Sequence, residues 1–394
     1  MLVTIIAFFV ILGVLVFVHE MGHFLVAKKT KTKAEEFGFG YPPRLFGWSK
    51  INGKRKFFWG NKDVESEDTI YSVNIWPLGG FVKIKGENGD GVIEDDSFAS
   101  KSARKRIAIL AAGVIMNVIF AMILLMINFG IGIPTAIESG TDETFVKNPI
   151  VQVVAVTKDS PADKAGIKLG DEVLAVNGQE IKQAEEIAKI VTEAGNQELT
   201  IKVKQAGSEK EVTLTPVLDE SLGSEYVDPE NPGRYVVGLS TYKVGLVSYP
   251  WYLAIWKGFQ TTFILLWRIL EAFGIIIGNL ILGKGMLAEV SGPIGVAVMT
   301  GQMVSLGISH LLQFTALLSL NLAIVNILPF PALDGGRIVM ILVEKIRGKK
   351  IDATIENVMH NIGFALLMLL IVLVTYRDLV NFGGGIWQAV KGVI

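Results

Sequence analysis

The sequence predicts a polytopic α-helical membrane protein with about four transmembrane helices, an inserted α/β domain and a cytoplasmic-side, membrane-associated β-hairpin region. Three observations carry this prediction. Of the 394 residues, 51% are hydrophobic and 19% are charged, whereas soluble domains average about 25% charged residues. Several apolar runs are long enough to cross about 30 Å of hydrocarbon. Between them, shorter segments show the alternation of half-buried strands.

Four apolar segments are predicted to cross the membrane. A crossing needs about 20 predominantly apolar residues, and the chain offers such segments at residues 1–27, 107–137, 311–343 and 357–380. The first segment has neither a basic leading region nor a small-residue cleavage site. It is therefore predicted to be a retained helix and not a signal peptide.

A fifth apolar stretch, residues 251–290, is predicted to lie on the outer leaflet or to dip into it. It carries Lys257, Arg268 and Glu271. Counting it as a span would also reverse the orientation that the loops predict.

Basic residues in the loops predict that orientation. Residues 24–106 contain 16 Lys/Arg and 11 Asp/Glu, whereas residues 138–250 contain 11 Lys/Arg and 19 Asp/Glu. The loop at 28–106 is therefore predicted to be cytoplasmic and the second connection extracytoplasmic. The formal net charge of −1 gives no basic excess that would suggest a nucleic-acid partner.

Residues 145–220 are predicted to form the inserted α/β domain. Alternating strands flank the segment SPADKAGIKLGDEVLAVNG at 160–178, which resembles a bacterial PDZ domain. Such domains bind extended peptides by adding a strand beside a groove. The alternative is a docking or spacer module with an empty groove.

Residues 69–86 in the cytoplasmic loop are predicted to form a β-hairpin, because the pattern alternates on both sides of Pro77-Leu-Gly-Gly80. Its aromatic and aliphatic side chains could enter the protein interior near the bilayer. The alternative is that they form only a small core.

The segment His19-Glu-Met-Gly-His23 at the inner end of the first helix points to metal chemistry. Residues four apart share a helix face, so both imidazoles can reach one ion. Glu20 beside them can take a proton from water at the metal. The chain has no Cys, and its other histidines, His310 and His360, lack a partner motif. A structural cluster of His and Glu between helices is the alternative.

Asp334 is the candidate for a third ligand, because catalytic zinc sites usually have three. It is the only acidic residue between Glu289 and Glu344. Measured back from the basic residues that follow each helix, it lies at the membrane depth of His19 and His23. The depth match predicts one shared metal site.

The residues just before Asp334 are predicted to be unwound, since Pro329 and Pro331 interrupt helical hydrogen bonding. Unwound backbone at membrane depth is tolerated where it lines a cavity. Asn326 precedes this break, where its amide could donate to a polarised carbonyl or an oxyanion. The alternative is that it caps carbonyls freed by the prolines.

With HEMGH and NILPFPALDGG together, the sequence resembles the site-2 protease family of intramembrane zinc metalloproteases, in particular bacterial regulator-of-sigma members with an inserted PDZ domain. The likeness extends over GFGYPPRLFGW, YSVNIWPLGGFVKIKGE, the PDZ-like domain and SGPIG at 291–295. Some relatives carry two tandem PDZ domains, whereas one is found here, so substrate gating could differ.

The resemblance implies one Zn²⁺ per chain held by His19, His23 and Asp334, with Glu20 as the catalytic base and Asn326 as a substrate or oxyanion contact. It implies a multi-pass protein of the bacterial cytoplasmic membrane, with its active site near the cytoplasmic side and its PDZ domain outside.

The implied substrates are single-span membrane proteins, such as membrane-bound anti-sigma factors or signal-peptide remnants, and a peptide could bind the PDZ groove. One alternative is a non-catalytic membrane PDZ adaptor with a structural metal site, which would have no use for a base beside the ligands. Another is a divalent-metal transporter, which would need ionisable groups along a path and not at one depth.

Overall fold

A computed structural model describes residues 2–51, 53–61, 64, 66, 68–87, 94–137, 143–205, 207–223, 233–283, 291–349 and 351–391. The chain divides into two compact units, one formed by Met1–Ile127 with Ile255–Ile394 and the other by Asn128–Ala254. The α-helices of the described residues are α1 (Leu2–Lys29), α2 (Ala103–Ile131), α3 (Pro161–Lys164), α4 (Ala184–Ala194), α5 (Trp251–Ile281), α6 (Pro293–Leu306), α7 (Ile308–Ile327), α8 (Asp334–Arg347) and α9 (Ala353–Lys391).

Five of these helices are long and apolar enough to cross a membrane, where the sequence predicted about four. The additional one is α5, in the stretch that was predicted to be interfacial. Its three charged residues are spread over 31 residues, so a window of spanning length with a mean hydropathy of 1.4 remains. The predicted count was wrong because those three charges were taken to exclude the whole stretch from crossing the membrane.

The segment predicted to span the membrane at 311–343 forms α7 and α8, and the backbone predicted to be unwound before Asp334 is the irregular stretch 328–333 between them. Pro329 and Pro331 lie in this break, because a proline has no N–H to continue the helical hydrogen bonds. The break ends at α8, which has Asp334 in its first turn.

A small antiparallel sheet lies in the first unit. Its strands are β1 (Ala34–Ile51), β2 (Lys54–Trp59) and β3 (Ile70–Ile84), in the order β2-β1-β3. Residues 70–84 do not pair with themselves, as the predicted hairpin would require. Phe37 of β1 pairs with Tyr71 on one side and with Val82 on the other. The first part of β1 therefore lies between the two halves of β3 and pairs with both. The alternation of residues 70–84 does not identify this partner, which is distant in sequence.

The sheet packs on α1 through glycines and aromatic rings. A side chain on Gly79 would lie 2.7 Å from Cγ1 of Val16, and one on Gly80 would lie 3.0 Å from Cδ2 of Phe17. Directly after the metal motif, the ring of Phe24 stacks on that of Phe37 with centroids 4.6 Å apart. These contacts bring residues 79–82 alongside residues 16–20 of α1, where the N–H of Val82 reaches Glu20.

The helices of this unit pack through small residues. Ala121 of α2 and Ala316 of α7 are fully buried, and they lie in one cluster with Leu125, Leu320 and Ile269 of α5. Small side chains let helix backbones approach closely in a membrane, where the hydrophobic effect does not hold helices together.

The second unit contains the predicted PDZ-like α/β domain. Its strands are β4 (Ile133–Ala136), β5 (Val146–Val156), β6 (Glu172–Val176), β7 (Gln179–Glu180), β8 (Leu199–Gln205), β9 (Ser208–Leu214), β10 (Val217–Leu218), β11 (Tyr235–Val236) and β12 (Leu239–Val247). Their main path is β4-β12-β5-β6-β8-β9. Ser160 caps α3 by accepting the N–H of Asp163 at 3.3 Å, and α4 buries Ile187 and Val191 against the sheet.

Candidate active site

The metal motif at residues 19–23 lies about two turns before the end of α1 at Lys29. His19 and His23 are each 7% exposed, and their Nε2 atoms are 3.1 Å apart. The two side chains project from one face because they are four residues apart in a helix. The predicted convergence of the two imidazoles is present in the fold.

Asp334 approaches the same point from the first turn of α8. Its Oδ2 atom lies 3.0 Å from Nε2 of His19 and 3.4 Å from Nε2 of His23. The following glycine makes this approach possible, since a side chain on Gly335 would lie 2.2 Å from the carbonyl oxygen of Ile327. The unwound segment and its glycines thus carry the aspartate to the histidines of α1.

The three donor atoms fit a tetrahedral metal ion. Zinc bonds of about 2.0–2.1 Å to nitrogen and oxygen place tetrahedral ligand atoms about 3.3 Å from one another, and the separations here are 3.0, 3.1 and 3.4 Å. Two imidazoles and a carboxylate are also ordinary zinc donors. The residues therefore fit the ion that the motif predicts.

The helix α2 borders the histidines on a further side. Nδ1 of His23 lies 2.8 Å from the carbonyl oxygen of Ile109. It donates a hydrogen bond there in the tautomer whose Nε2 carries no proton and can bind a metal. A side chain on Gly113 would lie 2.5 Å from Nε2 of His23 and 2.7 Å from Nε2 of His19. Because Gly113 has no side chain, the space beside the two Nε2 atoms stays open.

Glu20 lies beside the histidines and is held by the sheet. Its Oε2 atom accepts the backbone N–H of Val82 at 3.1 Å. Glu20, His19 and His23 together form a group whose candidate ligand atoms lie within 4.8 Å of one another. Geometry alone thus allows Glu20 to be either a ligand or a base.

A cavity of about 500 Å³ opens onto these groups. Asn326 lines it from the end of α7, and Val82 and Ile84 line it from β3. The cavity brings a carboxylate, a side-chain amide and a strand edge to the candidate metal site, which is the combination needed to bind and hydrolyse an extended peptide.

The remaining histidines lie elsewhere. Nδ1 of His310 donates to the carbonyl oxygen of Leu306 at 3.1 Å in its donor tautomer. His360 lines a different cavity with Arg337 and Glu356. Neither is among the residues around the His19 and His23 pair.

The sequence prediction missed the contribution of α2. Gly113 and Asn117 are four residues apart on this helix, and Asn117 is fully buried. Nδ2 of Asn117 is 3.3 Å from Nδ1 of His19. A polar amide within an otherwise apolar span was the available signal, since such residues are costly in a membrane and usually functional.

The chain is similar to known proteins over most of its length. The sequence pattern of peptidase family M50 matches residues 7–370. A Clostridium perfringens protein that bears the name of a zinc metalloprotease is 35% identical over 368 residues, covering 93% of this chain and 95% of that protein. The regulator of sigma-W protease RasP of Bacillus subtilis is 29% identical over 460 residues, covering 95% of this chain and 98% of that protein.

Among solved structures, the PDZ domain of an SdrC-like protein from Listeria monocytogenes is 18% identical to part of this chain. That match covers 24% of this chain and 90% of the Listeria domain, with a TM-score of 0.20.

Proposed function

The chain belongs to peptidase family M50 and is a multi-pass membrane zinc metalloprotease, and from this premise we propose that it is an endopeptidase that cuts the transmembrane segments of other proteins. One zinc ion per chain is held by His19, His23 and Asp334, and Glu20 is the general base. The observation that carries this proposal is the convergence of three donor atoms beside a carboxylate and a strand edge. The predicted site-2 protease resemblance is confirmed, and the adaptor alternative is not favoured.

Each side chain has a distinct task in the proposed reaction. His19, His23 and Asp334 would hold a zinc ion, which would act as a Lewis acid and activate water for attack on a carbonyl. The Glu20 carboxylate accepts the proton that the water loses and can pass it to the leaving amine. The Asn326 amide donates a hydrogen bond to the oxygen that becomes negative in the transition state.

The edge of β3 is proposed to hold the substrate. A helical substrate hides its carbonyls in its own hydrogen bonds, so it must unwind before attack. Val82 directs its N–H away from β1, toward Glu20, and the two-residue period of a strand places the N–H of Ile84 on the same edge. A substrate added there as a strand regains backbone hydrogen bonds and lies along the cavity.

The proposed location is the bacterial cytoplasmic membrane, with the active site near the cytoplasmic side and the PDZ-like domain outside. The excess of basic residues in the first loop and of acidic residues in the second supports this orientation. The PDZ-like domain then filters single-span substrates, for example membrane-bound anti-sigma factors or signal-peptide remnants, by excluding those whose outer part is still bulky. A peptide end can also occupy its groove.

The Glu20→Gln variant tests the core of this proposal. We expect it to lose cleavage of a single-span substrate in proteoliposomes while it retains about one zinc per chain, because the base is removed and the ligands remain. Glu35→Gln is the matched control, since that carboxylate pairs with Nζ of Lys83 at 2.8 Å on the sheet. Loss of zinc from Glu20→Gln would instead place Glu20 among the ligands.

A further inference from the structure

A buried amide faces the side of His19 that points away from the candidate metal site. Asn117 lies in the middle of α2 and is 0% exposed. Its Nδ2 atom is 3.3 Å from Nδ1 of His19, and its Oδ1 atom is buried without a hydrogen-bond partner among the described residues. A buried carbonyl left in this way destabilises the fold, because it has lost its hydrogen bonds to water.

The two ends of an asparagine amide have nearly the same shape, so their assignment follows from the hydrogen bonds they make. An imidazole that offers Nε2 to a metal carries its proton on Nδ1 and needs an acceptor there. With the amide turned by half a rotation, Oδ1 of Asn117 occupies the place 3.3 Å from Nδ1 of His19. The orphaned carbonyl and the imidazole proton then satisfy each other.

The position of Asn117 is fixed by its backbone. Oγ of Ser319 on α7 donates to the carbonyl oxygen of Asn117 at 2.8 Å. One turn earlier, Gly113 brings α2 against both imidazoles. The hydrogen bond from Ser319 thus holds Asn117 at this level of α2 through a residue that is not a proposed metal ligand.

We infer that Asn117 is a positioning residue for the metal site: its side-chain carbonyl accepts the Nδ1–H of His19 and so fixes the tautomer and ring orientation that present Nε2 to the ion. The carbonyl of Ile109 does the same for His23. This inference rests on the proposed function, because it takes His19 to be a ligand.

Zinc affinity is the property that separates this role from simple packing. Asn117→Leu removes the acceptor at similar volume, and Asn117→Ala removes it without adding bulk. We expect each to bind zinc about 10–100-fold more weakly in chelator competition. Asn117→Asp keeps an acceptor oxygen and should stay within a few-fold of the wild type. The visible spectrum of the Co²⁺-substituted protein should change in the Leu and Ala variants and not in the Asp variant.

Asn128→Leu is the matched control. Asn128 is also fully buried on α2, about 16 Å further along the helix by its rise per residue. It should keep wild-type zinc affinity. The thermal midpoint of each zinc-free variant, compared with zinc-free wild type, reports whether the fold itself has changed.

Three results would overturn the inference. They are wild-type zinc affinity in both Asn117→Leu and Asn117→Ala, equal weakening by Asn128→Leu, and equal weakening by Asn117→Asp. His19→Ala serves as the separate test of the underlying site. If it retained zinc, the proposed ligand set would fail, whereas loss of zinc from His19→Ala with unchanged Asn117 variants would remove only the role of Asn117.

Discussion

The backbone N–H of Val82 donates a hydrogen bond of 3.1 Å to Oε2 of Glu20. This bond ties the proposed base on α1 to the outer edge of β3. The strand that is proposed to align the substrate therefore also orients the group that is proposed to activate water. Disturbing the strand at this residue should affect chemistry, whereas disturbing it two residues later should affect substrate handling.

Proline substitutions at Val82 and Ile84 should separate these two effects. A proline has no N–H, so Val82→Pro removes the donor to Glu20 and should slow cleavage of every substrate by tenfold or more. Ile84→Pro should slow cleavage of a helical substrate much more than that of one carrying helix-breaking Gly or Pro at its cut site. Turnover and zinc content of both variants are compared. Equal cleavage by Ile84→Pro and wild type would remove the strand edge from substrate binding.

Removing Asp334 should empty the metal site. Its Oδ2 atom lies within 3.4 Å of both imidazole Nε2 atoms, and two histidines alone form an incomplete site. We expect Asp334→Ala and His23→Ala to purify with little zinc and no activity. Elemental analysis of the purified protein measures this. Full zinc occupancy in Asp334→Ala would refute the three-ligand set.

Gly113→Ala should weaken zinc binding by at least tenfold, because the added carbon would lie 2.5 Å from Nε2 of His23. Gly130→Ala on the same helix is the control, since no atom lies within 4 Å of the carbon added there. Both changes raise helix propensity, so a selective effect on chelator-measured affinity comes from the site. Equal zinc affinity in the two variants would show that α2 does not shape the metal site.

Reporter tags should test the topology. We expect tags at Gly207 and at the C-terminus to report outside, and tags near Asn88 and Lys349 to report inside. An inside signal at Gly207 would invert the basic-residue interpretation and place the catalytic residues near the outer face.

A tag within residues 284–290 tests whether α5 crosses the membrane. Gly292 lines a cavity with Leu15 from the middle of α1, and Gly301 lies beside Thr4 near the start of α1. The helix α6 therefore begins at the level of the middle of α1 and runs antiparallel to α1 toward the level of its start. The helix α7 then runs back in the opposite direction. If α5 crosses, the tag reports inside and the C-terminus stays outside. An outside signal from 284–290 would favour the interfacial placement.

The proposed ligands and base could be predicted from the sequence because their signals are local. His19 and His23 share a helix face by their spacing, and Asp334 stands alone in an apolar stretch between two prolines and two glycines. The helix α5 was not counted as a span because its three charged residues were given too much weight for a helix of 31 residues. The partner of residues 70–84 was missed because strand alternation specifies which face is buried and not which distant strand lies beside it.

The role of α2 was the least predictable part of the site. Gly113 matters through the absence of a side chain, and Asn117 matters through one contact with a residue 98 positions away in sequence. Neither forms a motif with a known ligand geometry. Only the packing of α2 against α1 reveals what these residues touch.

The separation of the proposed ligands along the chain would limit when the enzyme becomes active. His19 and Asp334 are 315 positions apart, with the whole PDZ-like domain and α5 to α7 between them. A nascent chain that ends before Asp334 holds only the two histidines and cannot complete the proposed site. With this ligand set, hydrolysis would await synthesis and membrane insertion of the chain as far as α8, so that a molecule made only up to α7 could not cut its neighbours in the bilayer.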